Sequence, residues 1–151
     1  LVLADLAELG LRRAVRVGTA TGLDPELEAG ELVVVSEAHA WGGPGGGEGA
    51  AVLPDAELAE ALARQLGIAA RPGSVASLDT LHGQLDEVVA ASLGSDVADM
   101  QTAALLTRGR ELELAVAAVL VVSETGAGEK LDDEPLELAA KRAGTAAAAV
   151  L

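Results

Sequence analysis

Two stretches of the chain, residues 32–36 (LVVVS) and 115–123 (AVAAVLVVS), are near-continuous aliphatic runs, each closed by a serine. A strand with no polar side to turn toward water is buried on both faces. Its sheet must then carry helices above and below. Between these runs lie segments of helical period. Residues 55–66 place Leu58, Leu62 and Leu66 at i, i+4 and i+8 and stop at Gly67, the mark of an amphipathic helix. Residues 2–9 read as the end of a helix with Leu3, Leu6 and Leu9 on one side, closed by Gly10.

The remaining elements follow the same alternation. Strands are expected over 13–19 (RAVRVGT), 70–77 and 96–99, and helices over 84–93, closed by Gly94, and over 100–112. Pro135 suits a first helical turn and opens a final helix toward Leu151, with the alanines of 146–149 as its end. Residues 41–49 (WGGPGGGEG) carry too little side chain to pack and read as a mobile loop. The expectation is a three-layer α/β/α sandwich around a central mixed or mostly parallel sheet, forming a single domain over 1–151.

Composition narrows the partners. The formal net charge is −14, from 24 acidic and 10 basic side chains. Such a chain repels phosphate backbones and anionic lipid, so neither nucleic acid nor a membrane surface is expected as partner. No apolar run approaches the roughly 20 residues of a membrane helix, and no basic-then-apolar leader is present. A cytoplasmic location is the expectation. With no Cys, thiolate, disulfide and zinc–cysteine chemistry are excluded. With neither Phe nor Tyr and one Trp, the core must be packed by Leu, Val and Ala. The sequence starts at Leu1 rather than Met, which suggests a fragment.

In α/β sheets ligands gather beyond the carboxyl ends of strands. Thr19, Ser36, Glu37, Ser77, Asp79, Asp99, Ser123 and Glu124 all fall at such ends. Taken singly, Thr19 and Asp79 also suit caps of helices or turns, and Glu124 suits a side chain leaving the sheet for water. His39 and His82 lack the spacing of a helical zinc pair, so no metal is expected. Residues 125–130 (TGAGEK) resemble a phosphate loop only superficially. The spacing between glycines is too short, and no Ser or Thr follows Lys130. Neither a G-x-S-x-G elbow nor a Ser-His-Asp ordering supports acyl transfer.

Four segments, in order, resemble the purine nucleoside and uridine phosphorylase family. They are residues 16–25 (RVGTATGLDP) with 29–34 (AGELVV), residues 73–80 (GSVASLDT), residues 97–104 (VADMQTAA) and residues 122–124 (VSE). The resemblance spans nearly the whole chain. It implies the nucleoside phosphorylase fold and a pentosyltransferase that cleaves an N-glycosidic bond with phosphate, giving free base and ribose 1-phosphate. Inorganic phosphate would be the co-substrate, with no cofactor. A hydrolytic nucleosidase of the same superfamily is an alternative, and a non-catalytic remnant domain is another. By position, Thr19 and Gly18 would bind phosphate, and Met100 and Gln101 would hold the ribose. Ser77, Leu81 and Ala98 would line the base pocket, and Glu124, oriented by Ser123, would assist the departing base. The family is often completed by a neighbouring subunit, so a homo-oligomer acting in nucleoside metabolism, for example purine salvage, is implied.

Several positions depart from the family. Gln101 stands where the family has a Glu for ribose hydroxyls, and charge-assisted hydrogen bonds are roughly twice as strong as neutral ones. Glu124 replaces a shorter Asp, a shift of about 1 Å that can cost on the order of a hundredfold in a tuned site. Leu81 replaces an aromatic, with Trp41 the remaining aromatic candidate. Residues 82–84 (HGQ) faintly resemble a uracil-reading stretch, yet Asp86 and Glu87 stand where an Arg would follow. Purine and pyrimidine substrates both stay open. Nothing matches the family's N-terminal phosphate-binding part, and Arg16, within the R-V-G motif, reads as structural.

Overall fold

The computed structural model describes residues 2–41, 50–78 and 94–151. Residues 42–49 of the loop expected over 41–49, the helix expected over 84–93, and Asp79, Leu81 and His82 lie outside the described residues, while Trp41 belongs to a strand instead. The described elements run α1 (Val2–Glu8), β1 (Arg13–Gly22), β2 (Leu32–Trp41), α2 (Ala56–Leu66), a 3-10 turn (Gly67–Ala69), β3 (Ala70–Leu78), β4 (Val97–Asp99), α3 (Thr102–Glu111), β5 (Ala115–Thr125) and α4 (Asp133–Val150).

The sheet is mixed, and helices cover both of its faces. β5 runs parallel to β1, from Arg13↔Ala115 to Gly22↔Thr125, and antiparallel to β2 through Leu32↔Val121 and Val34↔Val119. β3 is parallel to both β2 and β4. β4 then pairs antiparallel with the end of β1 at Thr21↔Ala98 and Gly22↔Val97, which closes the sheet in the order β1-β4-β3-β2-β5. Closure is not visible in the residue pattern, because it depends on twist and on a strand of three residues.

The apolar runs behave as their composition requires. Val33, Val35, Leu120 and Val122 enter one core with Ala103 and Leu106 of α3, while Leu32, Val34, Val119 and Val121 enter another with Leu62 and Leu66 of α2 and Ala143 and Ala146 of α4. Alternate residues of the same strand thus feed opposite layers, which is the period-2 geometry of an extended chain. Leu, Val and Ala fill both layers without Phe or Tyr. The alanines of 146–149 belong to α4 itself, where Ala146 and Ala147 are buried.

Local signals fix the helix ends. Asp55 caps α2 by accepting the Leu58 N–H at 2.9 Å, and Gly67 ends it at φ +57°. α3 begins at Thr102, two residues later than the pattern suggested, because the Asp99 carboxylate takes the N–H groups of Gln101 and Thr102. The strands run past their apolar cores. β1 and β5 continue together through an irregularity after Ala20, and β2 follows β3 to Trp41 through another at Val35/Glu37. Leu3 of α1 packs on the core, whereas Leu6 and, just past the helix, Leu9 are exposed, so the three leucines share no buried side.

The turn after β1 is pinned to the residue before β4 and to the start of β3. The N–H groups of Leu23 and Asp24 both reach the Asp96 carbonyl, and the Asp24 carboxylate accepts the Glu26 N–H at 2.9 Å and Arg71 Nη2 at 2.8 Å. The Glu26 N–H holds the Asp24 carboxyl below its ordinary range against the opposing effect of desolvation, and the Arg71 guanidinium adds to the lowering. A carboxyl lowered in the folded state stabilises the fold above its unfolded value, and that contribution disappears as pH falls through the folded value. Urea unfolding of wild type and Asp24→Asn should therefore show a gap in stability at neutral pH that narrows toward pH ~3.

Candidate active site

Three strand segments meet around one cavity of about 420 Å³. β1 contributes Arg16, Gly18, Thr19 and Thr21 to its wall. β4 and the turn after it contribute Ala98, Asp99, Met100 and Gln101, and the end of β5 contributes Ser123 and Glu124. The position follows from topology: β4 and β5 both end here, and their side chains leave the sheet at the same rim.

The Glu124 carboxylate is held from two sides. Its Oε1 accepts the Thr21 hydroxyl at 3.1 Å, and Lys130 Nζ lies 3.4 Å from Oε2. Thr21 stands opposite Glu124 because the β1–β5 register shifts after Ala20. Lys130 returns through a tight turn: the Gly128 N–H donates to the Thr125 carbonyl, the Thr125 N–H donates to the Glu129 carbonyl, and Gly128 has φ +87°. The TGAGEK segment is therefore a hairpin that carries a lysine back to the cavity rim, not a phosphate loop. Beside it, the Ser123 hydroxyl donates to the Ala20 carbonyl at 3.3 Å.

At the opposite wall, Arg16 and Asp99 form an ion pair of 2.9 Å, with the carboxylate side chain only 1% exposed. Asp99 also accepts the hydroxyls of Ser77 and Thr102, each at 2.6 Å. The guanidinium lies over Gly18, where any added Cβ would collide with it. Arg16 Nε is buried and has no partner among the described residues.

Of the residues singled out in the sequence, Gly18, Thr19, Ala98, Met100, Gln101, Ser123 and Glu124 come together on this wall. Ser77 does not reach it. Its hydroxyl is buried behind Asp99, where it also accepts the Ala103 N–H at 2.9 Å and so joins β3 to α3. Trp41 ends β2 and is not part of the wall. Arg16, read as structural, lines the cavity, as does Thr21, which the pattern did not mark, and Lys130 stands beside Glu124. The cue for Arg16 was its place two residues before Gly18 on the same strand, since i and i+2 share a face.

Against known proteins, the sequence matches the Phosphorylase superfamily over residues 2–151. No curated protein sequence matches it. Among solved structures, purine nucleoside phosphorylase from Toxoplasma gondii in complex with immucillin-H superposes with a TM-score of 0.79 at 20% identity, over 99% of this chain and 68% of that one. The 5'-methylthioadenosine/S-adenosyl homocysteine nucleosidase of Campylobacter jejuni superposes with a TM-score of 0.74 at 20% identity, over 95% of this chain and 69% of its own. The P. knowlesi homolog of P. falciparum PNP gives 0.74 at 17% identity, over 99% and 66%. These neighbours share the fold and span a longer chain. Taken with the family match over nearly its full length, they establish that the chain belongs to the phosphorylase superfamily.

Proposed function

We propose that this protein cleaves the N-glycosidic bond of a purine or pyrimidine nucleoside with inorganic phosphate, releasing free base and ribose 1-phosphate. The observation that carries this reading is the meeting of three kinds of group around one 420 Å³ cavity: Arg16 with Thr19, Met100 with Gln101, and Ser123 with Glu124. In the reaction a phosphate oxygen bonds to C1′ as the C1′–N bond breaks. The bonding pair stays with the base, which takes up a proton. Thr19 and Arg16 hold the phosphate by hydroxyl and charge. Met100 packs on the sugar, and Gln101 meets its hydroxyls as a neutral partner. Glu124, fixed by Thr21 and Lys130, faces the departing base and assists its protonation, with Ser123 beside it. No cofactor enters this scheme. A homo-oligomer in the cytoplasm is the proposed setting.

One observation favours water as the nucleophile instead. The Arg16 charge is opposed by Asp99 at 2.9 Å, so this end of the cavity offers an anion less attraction than a free guanidinium would. Hydrolysis needs no such attraction. A nucleoside panel incubated with and without phosphate separates the two, because base release that requires phosphate supports phosphorolysis and equal release in both supports hydrolysis. No release under either condition points to a domain that kept the fold and lost the chemistry.

A further inference from the structure

We propose that Asp99 is a positioning residue that presets the Arg16 guanidinium for the anionic co-substrate, an inference that rests on the phosphorolytic reading. Five donors converge on its two oxygens. Oδ1 takes the Ser77 hydroxyl at 2.6 Å and the Gln101 N–H at 3.2 Å, while Oδ2 takes the Thr102 hydroxyl at 2.6 Å, the Thr102 N–H at 3.2 Å and Arg16 Nη2 at 2.9 Å. A carboxylate offers about four lone-pair sites, so this one is fully committed.

The consequence is mechanical. The Asp99 carboxylate on β4 is held by Ser77 of β3 and Thr102 of α3, and it in turn locks Arg16 of β1. An arginine left free on a strand keeps rotamer freedom that a ligand would have to remove on binding. Here that freedom is already spent in the folded state. Gly18 completes the seat, because the guanidinium lies where a side chain at that position would stand. Nη2 faces Asp99, Nη1 lies against Gly18, and Nε is buried with no acceptor among the described residues. The guanidinium therefore keeps donor capacity beyond its carboxylate, on a side chain that lines the cavity. Preorganisation of this kind lowers the cost of binding without adding a contact.

The role differs from a merely structural one in what its loss should change. In Asp99→Asn the charge is gone, and the amide brings its own donors into a place already crowded with donors, so Arg16 is released. The KM for phosphate should rise about tenfold or more, because losing the fixed position of the guanidinium outweighs the removal of the opposing Asp99 charge. The KM for nucleoside should stay within about twofold, since the amide oxygen of Asn still accepts the Gln101 N–H that Asp99 Oδ1 takes in wild type. Asp99→Glu retains the charge but pushes the guanidinium about 1 Å, and it should raise the phosphate KM while leaving the nucleoside KM unchanged.

The test is steady-state kinetics on the full chain, varying inorganic phosphate and nucleoside separately, together with 15N NMR of the Arg16 Nε–H in wild type and both variants. The expected result is a selective rise in phosphate KM and an Arg16 signal that is sharp in wild type and averaged in Asp99→Asn. Should Asp99→Asn fail to fold, Asp99→Glu reads the same selectivity. If wild type releases base equally with and without phosphate, the phosphorolytic reading fails; the Arg16 signal alone then decides whether Asp99 holds the guanidinium, and a signal unchanged in Asp99→Asn overturns the positioning role. A folded variant with unchanged phosphate KM and an unchanged Arg16 signal overturns the proposal outright.

Discussion

Alanine at position 124 should give a protein that folds as wild type does and no longer releases base. Glu124 sits at the rim of the cavity on the last residues of β5, with its carboxylate between Thr21 and Lys130. Neither bond anchors the core. The lysine side chain is 77% exposed, and ion pairs of that kind contribute little to stability. The melting temperature should therefore stay close to wild type. Activity is a different matter, because a positioned acid or base contributes typically 10²–10⁴-fold to such a step. A fall in kcat on the order of a hundredfold or more, read by base release, is the expected outcome. Activity within a few-fold of wild type would show that the base leaves from another part of the cavity.

The largest effect on stability should come from Leu120→Ala. Leu120 is fully buried at the middle of β5, opposite Gly18 of β1 on one side and Val33 of β2 on the other. No aromatic ring is near to relax into the space, since the core is built from Leu, Val and Ala. Removing such a side chain loses its transfer free energy and leaves a cavity, together about 2–5 kcal/mol. For a domain of this size each kcal/mol moves the midpoint by about 2–4 °C, so a drop on the order of 10 °C is expected by thermal unfolding. Leu138→Ala, at an exposed position of α4, serves as the control and should shift stability by no more than about 0.5 kcal/mol.

Much of this architecture was legible in the residues because periodicity reports burial directly. The aliphatic run of β5 announced a strand covered on both sides, and Leu58, Leu62 and Leu66 with Asp55 and Gly67 announced α2 almost to the residue. Strand-end polar residues likewise pointed to the rim where Thr19, Asp99, Ser123 and Glu124 now meet. Long-range partners left no such trace. Arg16 and Asp99 are 83 positions apart, and nothing in either segment says that one carboxylate will hold the other's guanidinium. Thr21 reaches Glu124 only because of a register shift, and Lys130 only because a glycine turn folds it back. Ser77 shows the reverse case: it lies on the expected strand, yet Asp99 and the start of α3 draw its hydroxyl away from the cavity.

On the proposed reading one cavity brings phosphate, sugar and base together. A purified sample of the chain, incubated with a nucleoside panel and inorganic phosphate and followed by 31P NMR for sugar phosphate and by absorbance for base, decides it. Ribose 1-phosphate should appear in step with free base, and neither product should appear in Glu124→Ala. Base released without any sugar phosphate would contradict phosphorolysis, and no base from any nucleoside would contradict the catalytic reading of the cavity altogether.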